Sequence, residues 1–285
     1  MEHFCARCGQ SRLGAMLAWS VCLTALGLAF VVPTAARADI HDQLVVHLRF
    51  DGDVQDSSGR GNNGSIVQPG VNSPYVPGVI GQAYQTTGMV VGIDNSTSSY
   101  ITLGNPPDLN FDGSSDISFS WWGMYNTSDQ HDDIPWLSNK DWNSGGNRGW
   151  VLASESGGNG LRWNFRARGE NRVDISAPYA GSGWDDGNWH HYVVTMTRGA
   201  GGAVTVYQDS GAVSYTPINS ALIIGSTLLP TNIFQDGTGT YTDITGGANF
   251  DKAAIDDLGI WRRALTDDEV AMIYTLGTQG LSALD

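Results

Sequence analysis

Short apolar runs alternate with clusters of Gly, Asn, Asp and Ser along most of the chain. That spacing predicts many short strands joined by tight turns. The predicted strands are Leu44–Phe50, Tyr100–Leu103, Ile117–Trp122, Trp150–Ser154, Leu161–Phe165, His191–Thr197, Ala203–Tyr207, Leu222–Ile224 and Ala254–Trp261. Apolar and polar residues alternate in Ile117-Ser118-Phe119-Ser120-Trp121 and in Val204-Thr205-Val206-Tyr207. A sheet packed on one face requires that period of two. By the same rule Trp121, Trp163 and Trp261 belong to a core.

One segment reads as helix. Thr266-Asp267-Asp268-Glu269 has the spacing of a capping box, with Leu265 and Val270 placed as a hydrophobic staple. Val270, Ile273 and Tyr274 form an apolar stripe, and Gly277 stops it. No linker or repeat divides the rest, so a single all-β domain over 39–285 is expected, with this short helix against one edge.

Residues 1–38 have a different character. Arg7 and Arg12 precede an apolar run from Leu13 to Val32, and Ala36-Arg37-Ala38 offers small residues at a cleavage site. This is the form of a secretory signal. Its removal would leave no membrane-inserted segment and an extracellular or periplasmic protein. All three cysteines (Cys5, Cys8, Cys22) lie in it, so the remainder cannot form disulfides. Core packing, aided by a metal ion, would have to hold the fold. The formal net charge of -14 disfavours nucleic acid and anionic membranes as partners.

Four blocks, in order, resemble the laminin-G-like branch of the concanavalin A-like lectin and glucanase family. They are Leu44–Gly64 with its Asp56-Ser-Ser-Gly59 turn, Leu137–Leu152, Gly187–Thr197 followed by Val204–Tyr207, and Ala254–Leu265 running into the capped helix. The resemblance implies a two-sheet antiparallel jelly roll. Two positions depart from the family pattern. Tyr207-Gln-Asp-Ser-Gly211 replaces a Tyr-Val-Asp-Gly type turn, and Phe234 stands where Gly is expected.

The resemblance also implies a structural calcium where the first strand ends beside the last. The matching residues are Asp51 and Asp256, with Asp56, Asn62 and Asp53 as further candidates. Calcium takes six to eight hard oxygen ligands, which two carboxylates and nearby carbonyls could supply. For Asp53 and Asp56, ordinary turn capping is an equally good reading. His190 and His191 are adjacent on a strand, so their rings point to opposite faces and cannot chelate one ion.

For a ligand, the polar loop around Trp142 is the leading candidate. An exposed indole offers a flat face to a sugar ring. Lys140, Asp141, Asn143 and Arg148 beside it would bond hydroxyl groups; the alternative is that this loop is a structural clasp. Paired catalytic carboxylates are missing: beyond residue 38 the Glu residues are Glu155, Glu170 and Glu269, none close to another in sequence. The expectation is therefore a non-catalytic module that binds a polysaccharide or other glycan. The alternatives are a protein-binding or adhesion module, and a cryptic hydrolase or lyase.

Overall fold

The structure is a computed structural model that describes residues 39–67, 74–86, 99–111, 115–126, 135–142, 149–154, 160–166, 172–178, 186–218, 224, 229–241 and 253–285. The expected signal segment lies outside these residues, as does most of the expected strand Leu222–Ile224. Ala38–Asp285 forms one compact unit.

Among the described residues two antiparallel sheets face each other. The first contains β1 (Leu44–Leu48), β3 (Tyr75–Pro77), β4 (Gln82–Gln85), β6 (Ile117–Asn126), β11 (Asp186–Met196), β12 (Ala203–Gln208), β13 (Gly211–Pro217) and β15 (Ala254–Trp261). Its order is β13-β12-β11-β6-β15-β4-β3, and β1 also pairs with β15. The second contains β2 (Ser65–Val67), β5 (Tyr100–Thr102), β7 (Pro135–Ser138), β8 (Gly149–Ser154), β9 (Gly160–Arg166), β10 (Arg172–Pro178) and β14 (Asn232–Ile233). Its order is β10-β9-β8-β7-β14-β5-β2. This is a jelly-roll sandwich.

Strand alternation decides what fills the space between the sheets. On β8 and β9 the inward residues are Trp150, Leu152, Leu161, Trp163 and Phe165, all buried. Trp150 and Trp163 stack at 5.7 Å, and Phe119 of the facing sheet packs on both at 4.9 and 5.5 Å. Trp121, Trp136, Tyr192 and Phe234 continue this aromatic core. Such rings carry most of the apolar area that stabilises a fold without disulfides.

The helix α1 (Asp267–Gly277) forms with the expected capping box. It covers the outer face of the first sheet, where Trp261, Val193, Val270 and Ile273 make a second buried cluster. Trp261 is thus buried beneath the helix rather than between the sheets. Gly277 is the last helical residue, but its role differs from the expected left-handed stop. A methyl group there would lie 2.5 Å from the Trp122 ring, so glycine is what lets the helix end settle on Trp122.

Both departures from the family pattern carry positive φ. Phe234 has φ 62 and is buried, stacking on Tyr84 at 6.2 Å. A glycine would reach this conformation freely; Phe accepts the strain and gains aromatic packing. Asp209 and Ser210, at φ 50 and 68, form the two-residue turn between β12 and β13. Two left-handed residues in succession are what a tight hairpin of this twist requires.

Candidate cation centre and binding face

The first strand ends abruptly. Phe50 is buried with φ 61, and its carbonyl accepts the Gly52 amide at 2.9 Å, so the chain folds tightly about Asp51. On the last strand the pairing of β15 with β6 slips between Asp256 and Gly259, and Asp257 takes φ 45. Left-handed non-glycine residues therefore stand next to both Asp51 and Asp256. Strain of this kind persists where the surroundings impose it, and it clusters at functional sites.

Both carboxylates reach the same turn, Gly78–Gly81, which joins β3 to β4. Asp51 Oδ1 accepts the Gln82 amide and Asp256 Oδ2 accepts the Ile80 amide, each at 2.8 Å. A methyl group at Gly81 would lie 2.1 Å from Asp51 Oδ1, and one at Gly78 2.4 Å from Asp256 Oδ2. The turn is glycine on both sides because the carboxylates press against it. Asp256 is fully buried and its Oδ1 has no hydrogen-bond partner. Burial pushes its carboxyl up to about 8, against the pull of the Ile80 amide. An orphaned oxygen on a buried carboxyl, at a turn that a second carboxylate also reaches, is an environment a hard cation would relieve.

The other metal candidates are engaged elsewhere. Asp56 Oδ1 accepts the His47 and Ser58 amides, and its Oδ2 accepts Ser58 Oγ and the Asn62 amide. Four donors saturate that carboxylate within its own turn. Asn62 Nδ2 donates to the Val45 carbonyl and to Asp108 Oδ2. Asp53 Oδ1 caps the Gln55 amide. These three serve local structure, and of the five candidates only Asp51 and Asp256 meet at a shared turn. Among the described residues no group of three or more His, Cys, Asp or Glu side chains is placed to hold a metal.

The Trp142 expectation requires a larger correction. Trp142 is 7% exposed, meets Tyr241 edge-on at 6.5 Å, and donates its backbone amide to Asp236 Oδ2 at 2.9 Å. Lys140 is fully buried; its Nζ donates to Asn164 Oδ1 at 2.5 Å and lies 5.6 Å over the Trp142 ring. Neither side chain presents a face to a ligand. The segment is a clasp, tied further by Asn139 Oδ1 accepting the Trp150 amide. Asp141 is partly exposed, and Asn143 and Arg148 lie outside the described residues.

The clasp instead supports a different surface. The outward residues of β8, β9 and β10 pair in two rows, Val151–Asn164–Asp174 and Ala153–Arg162–Ser176. Lys140 holds the Asn164 oxygen, and the Asn164 Nδ2 donates to Asp174. Asp174 and Ser176 are exposed and Arg162 half-buried. Val151, Ala153 and Asn164 are themselves buried, so the polar groups that reach solvent on this patch are those of Asp174, Ser176 and, in part, Arg162. The signal for it lay in Leu161-Arg162-Trp163-Asn164-Phe165, whose alternation fixes which residues face out.

The two histidines separate as the strand geometry requires. His191 is buried against Trp122, bonds Ser120 Oγ at 2.8 Å, and burial pushes it down to about 3. His190 lies on the other face between two carboxylates: Nδ1 is 2.8 Å from Asp209 and Nε2 is 3.3 Å from Asp186. The Asp209 hydrogen bond raises its pKa most, with burial opposing. Glu269 is bonded twice by Arg263, at 2.7 and 2.8 Å, and closes the capping box. Glu155 and Glu170 lie outside the described residues.

A sequence profile described as the concanavalin A-like lectin/glucanases superfamily matches residues 95–271. The chain belongs to this superfamily. A search of curated sequences returns no match. Among solved structures, the chain is similar to the binding domain of Paraclostridial Mosquitocidal Protein 1, with TM-score 0.62 and 21% identity over 82% of this chain and 52% of that one. It is also similar to the binding domain of botulinum neurotoxin DC, solved in complex with rat synaptotagmin II (TM-score 0.57, 16% identity, 83% of this chain and 52% of that one). The botulinum neurotoxin serotype G binding domain gives TM-score 0.57 at 16% identity, covering 81% and 50%. The chain spans about half the length of these structures, and at such identities the likeness establishes the fold.

The His190 geometry yields a pH dependence. Its folded pKa lies above 6.5, so its stabilising contribution is complete below pH 6.5 and is lost as pH rises through the folded value. His190→Gln should cost about 1–2 kcal/mol below that window and little above it. Urea denaturation at stepped pH checks this; an equal cost at pH 5 and pH 9 would contradict it.

Proposed function

We propose that this protein is an exported, non-catalytic carbohydrate-binding module with a structural calcium ion at Asp51 and Asp256. The observation that carries the binding part is the outward patch on β8–β10. There Arg162, Asp174 and Ser176 stand on neighbouring strands, with Asp174 held by the buried Asn164, which Lys140 fixes in turn. Hydroxyl-rich ligands are recognised by such convergent, pre-oriented polar groups. The similar solved structures named above are binding domains, and so is the similar receptor binding domain of botulinum neurotoxin D. The commitment of Glu269 to Arg263 and the helix cap supports a non-catalytic reading.

Calcium supplies a double positive charge where two carboxylates converge. Asp256 Oδ1 and the Asp51 carboxylate would hold it, and the Gly78–Gly81 turn would be drawn against the ends of β1 and β15. Its part is to shape and stiffen that rim. The export reading rests on the Leu13–Val32 run and Ala36-Arg37-Ala38. No helix among the described residues is long and apolar enough to cross a membrane.

A protein partner is the second reading. The edge strand β13 carries no charged residue and leaves Tyr215 67% exposed. An uncharged edge is a template on which an extended peptide can add a strand.

Two outcomes are expected. Millimolar calcium should raise the wild-type melting temperature, because an ion that binds only the folded state stabilises it. Asp256→Asn, which replaces the buried carboxyl with a neutral amide, should melt at or above the calcium-free wild type and gain nothing from calcium. Equal calcium gains in both proteins would remove Asp256 from the site. On a glycan array, Asp174→Ala and Arg162→Ala should each lower retention at least tenfold with little change in melting. Trp142→Ala should act through the fold, losing about 3–5 kcal/mol. Unchanged retention by both patch variants would refute the proposed face, and capture of protein ligands without any glycan would favour the second reading.

A further inference from the structure

A cavity of about 340 Å³ opens near the start of β1, away from the patch on β8–β10. Leu44 and Val45 line it with apolar surface; Gln43, Ser58, Arg60 and Arg262 bring polar groups. The volume is at the low end for small-molecule sites and suits one sugar ring with a substituent.

Asp108 fixes the two guanidinium groups relative to each other. Its carboxylate takes Arg60 Nε at 3.1 Å and Nη2 at 2.7 Å. Its carbonyl accepts Arg262 Nη1 at 2.8 Å, while Arg262 Nη2 donates to Ser115 Oγ at 3.1 Å. The Arg262 guanidinium also lies 5.8 Å over the Phe111 ring. Asp108 thus holds both guanidinium groups, and Ser115 holds that of Arg262 as well.

The pairing with Asp108 uses one edge of the Arg60 fork. Nη1 has no hydrogen-bond partner among the described residues, and the side chain is 54% exposed. Gln43 has φ 58, and its carbonyl accepts the Arg262 amide at 3.0 Å. Its side-chain amide makes no hydrogen bond among the described residues. A strained backbone that delivers an unused amide to a cavity beside an unused guanidinium edge is a built feature. The carboxylates nearby are already engaged: Asp56 by its four donors, and Asp39 by the His41 ring at 2.8 Å.

We propose that this cavity binds an acidic sugar residue, with its carboxylate or sulfate group on the free edge of Arg60 beside Arg262 and its hydroxyls on Gln43. Planar guanidinium forks suit such oxyanions, whereas a neutral sugar would leave the remaining Nη1 edge without an anionic partner. In a chain of net charge -14, two arginines fixed on one cavity select for the anion locally against a general repulsion. The assignment rests on the glycan reading above and adds the class of ligand.

Titration calorimetry with three oligosaccharides tests it: a hexuronic acid oligomer, the same oligomer with its carboxyl groups reduced to alcohols, and a sulfated neutral oligomer. The wild type should bind at least one acidic probe tenfold or more tighter than the reduced oligomer, and the advantage should shrink as salt is raised. The tighter acidic probe identifies the anion. Arg60→Gln should bring the acidic probe down to the affinity of the reduced one, and Gln43→Ala should weaken it severalfold, both with unchanged melting. Equal affinity for acidic and reduced oligomers would overturn the proposal, as would unchanged binding by both variants. If neutral glycans are still retained through Asp174 in that case, only the acidic site falls. If no glycan binds at all, both readings fall together.

Discussion

A carboxylate buried in the middle of a sheet constrains much of this molecule. Asp256 is fully buried on β15, the strand that pairs with β1, β4 and β6. Removing a charge from water without compensation is among the most unfavourable things a fold can do. The surrounding features are organised around it. The β15 pairing slips after Asp256, Asp257 turns left-handed to meet His47 Nε2 at 2.8 Å, and Ser282 from the C-terminal tail bonds Asp257 at 3.0 Å. The glycines at 78 and 81 give way to the two carboxylates. A cation there would hold the Asp256 carboxyl in its ionised form and make a cross-link between three strand ends.

The aromatic residues are used differently from a lectin that exposes its rings. Trp121, Trp136, Trp150 and Trp163 fill the space between the sheets, Trp122 and Trp261 the space under the helix, and Trp142 anchors a clasp on Asp236. On the outward side of the second sheet, Asp174 and Ser176 are exposed beside the half-buried Arg162, while Val151, Ala153 and Asn164 are buried. In the proposed reading, recognition through such a face would depend on hydrogen-bond geometry more than on stacking. The buried Lys140 fixes the Asn164 amide, which in turn holds Asp174.

The architecture was largely legible because it follows from alternation. Ile117–Trp122 and Val204–Tyr207 show which side is buried, and Thr266–Glu269 marks the helix start. Short strands such as Tyr75–Pro77 and Asn232–Ile233 were not, since two or three residues carry no period. Asp51 and Asp256 were found through resemblance, but their meeting point was not. The Gly78–Gly81 turn that receives both carboxylates looks in sequence like any other loop. Trp142 misled because a polar neighbourhood in sequence does not mean exposure: Tyr241 and Asp236, both far along the chain, cover and bind it. The Arg60–Asp108–Arg262 arrangement was likewise invisible, being assembled from three distant segments.

Amide hydrogen exchange of Ile80 and Gln82, followed with and without calcium, tests the cation centre most directly. These two amides donate to Asp256 and Asp51, and they report on the turn rather than on global unfolding. If calcium sits between the carboxylates, their exchange should slow at least tenfold on adding the ion, while amides at the far end, such as those of β13, change far less. Identical exchange of Ile80 and Gln82 in calcium and in chelator would contradict a cation at this junction.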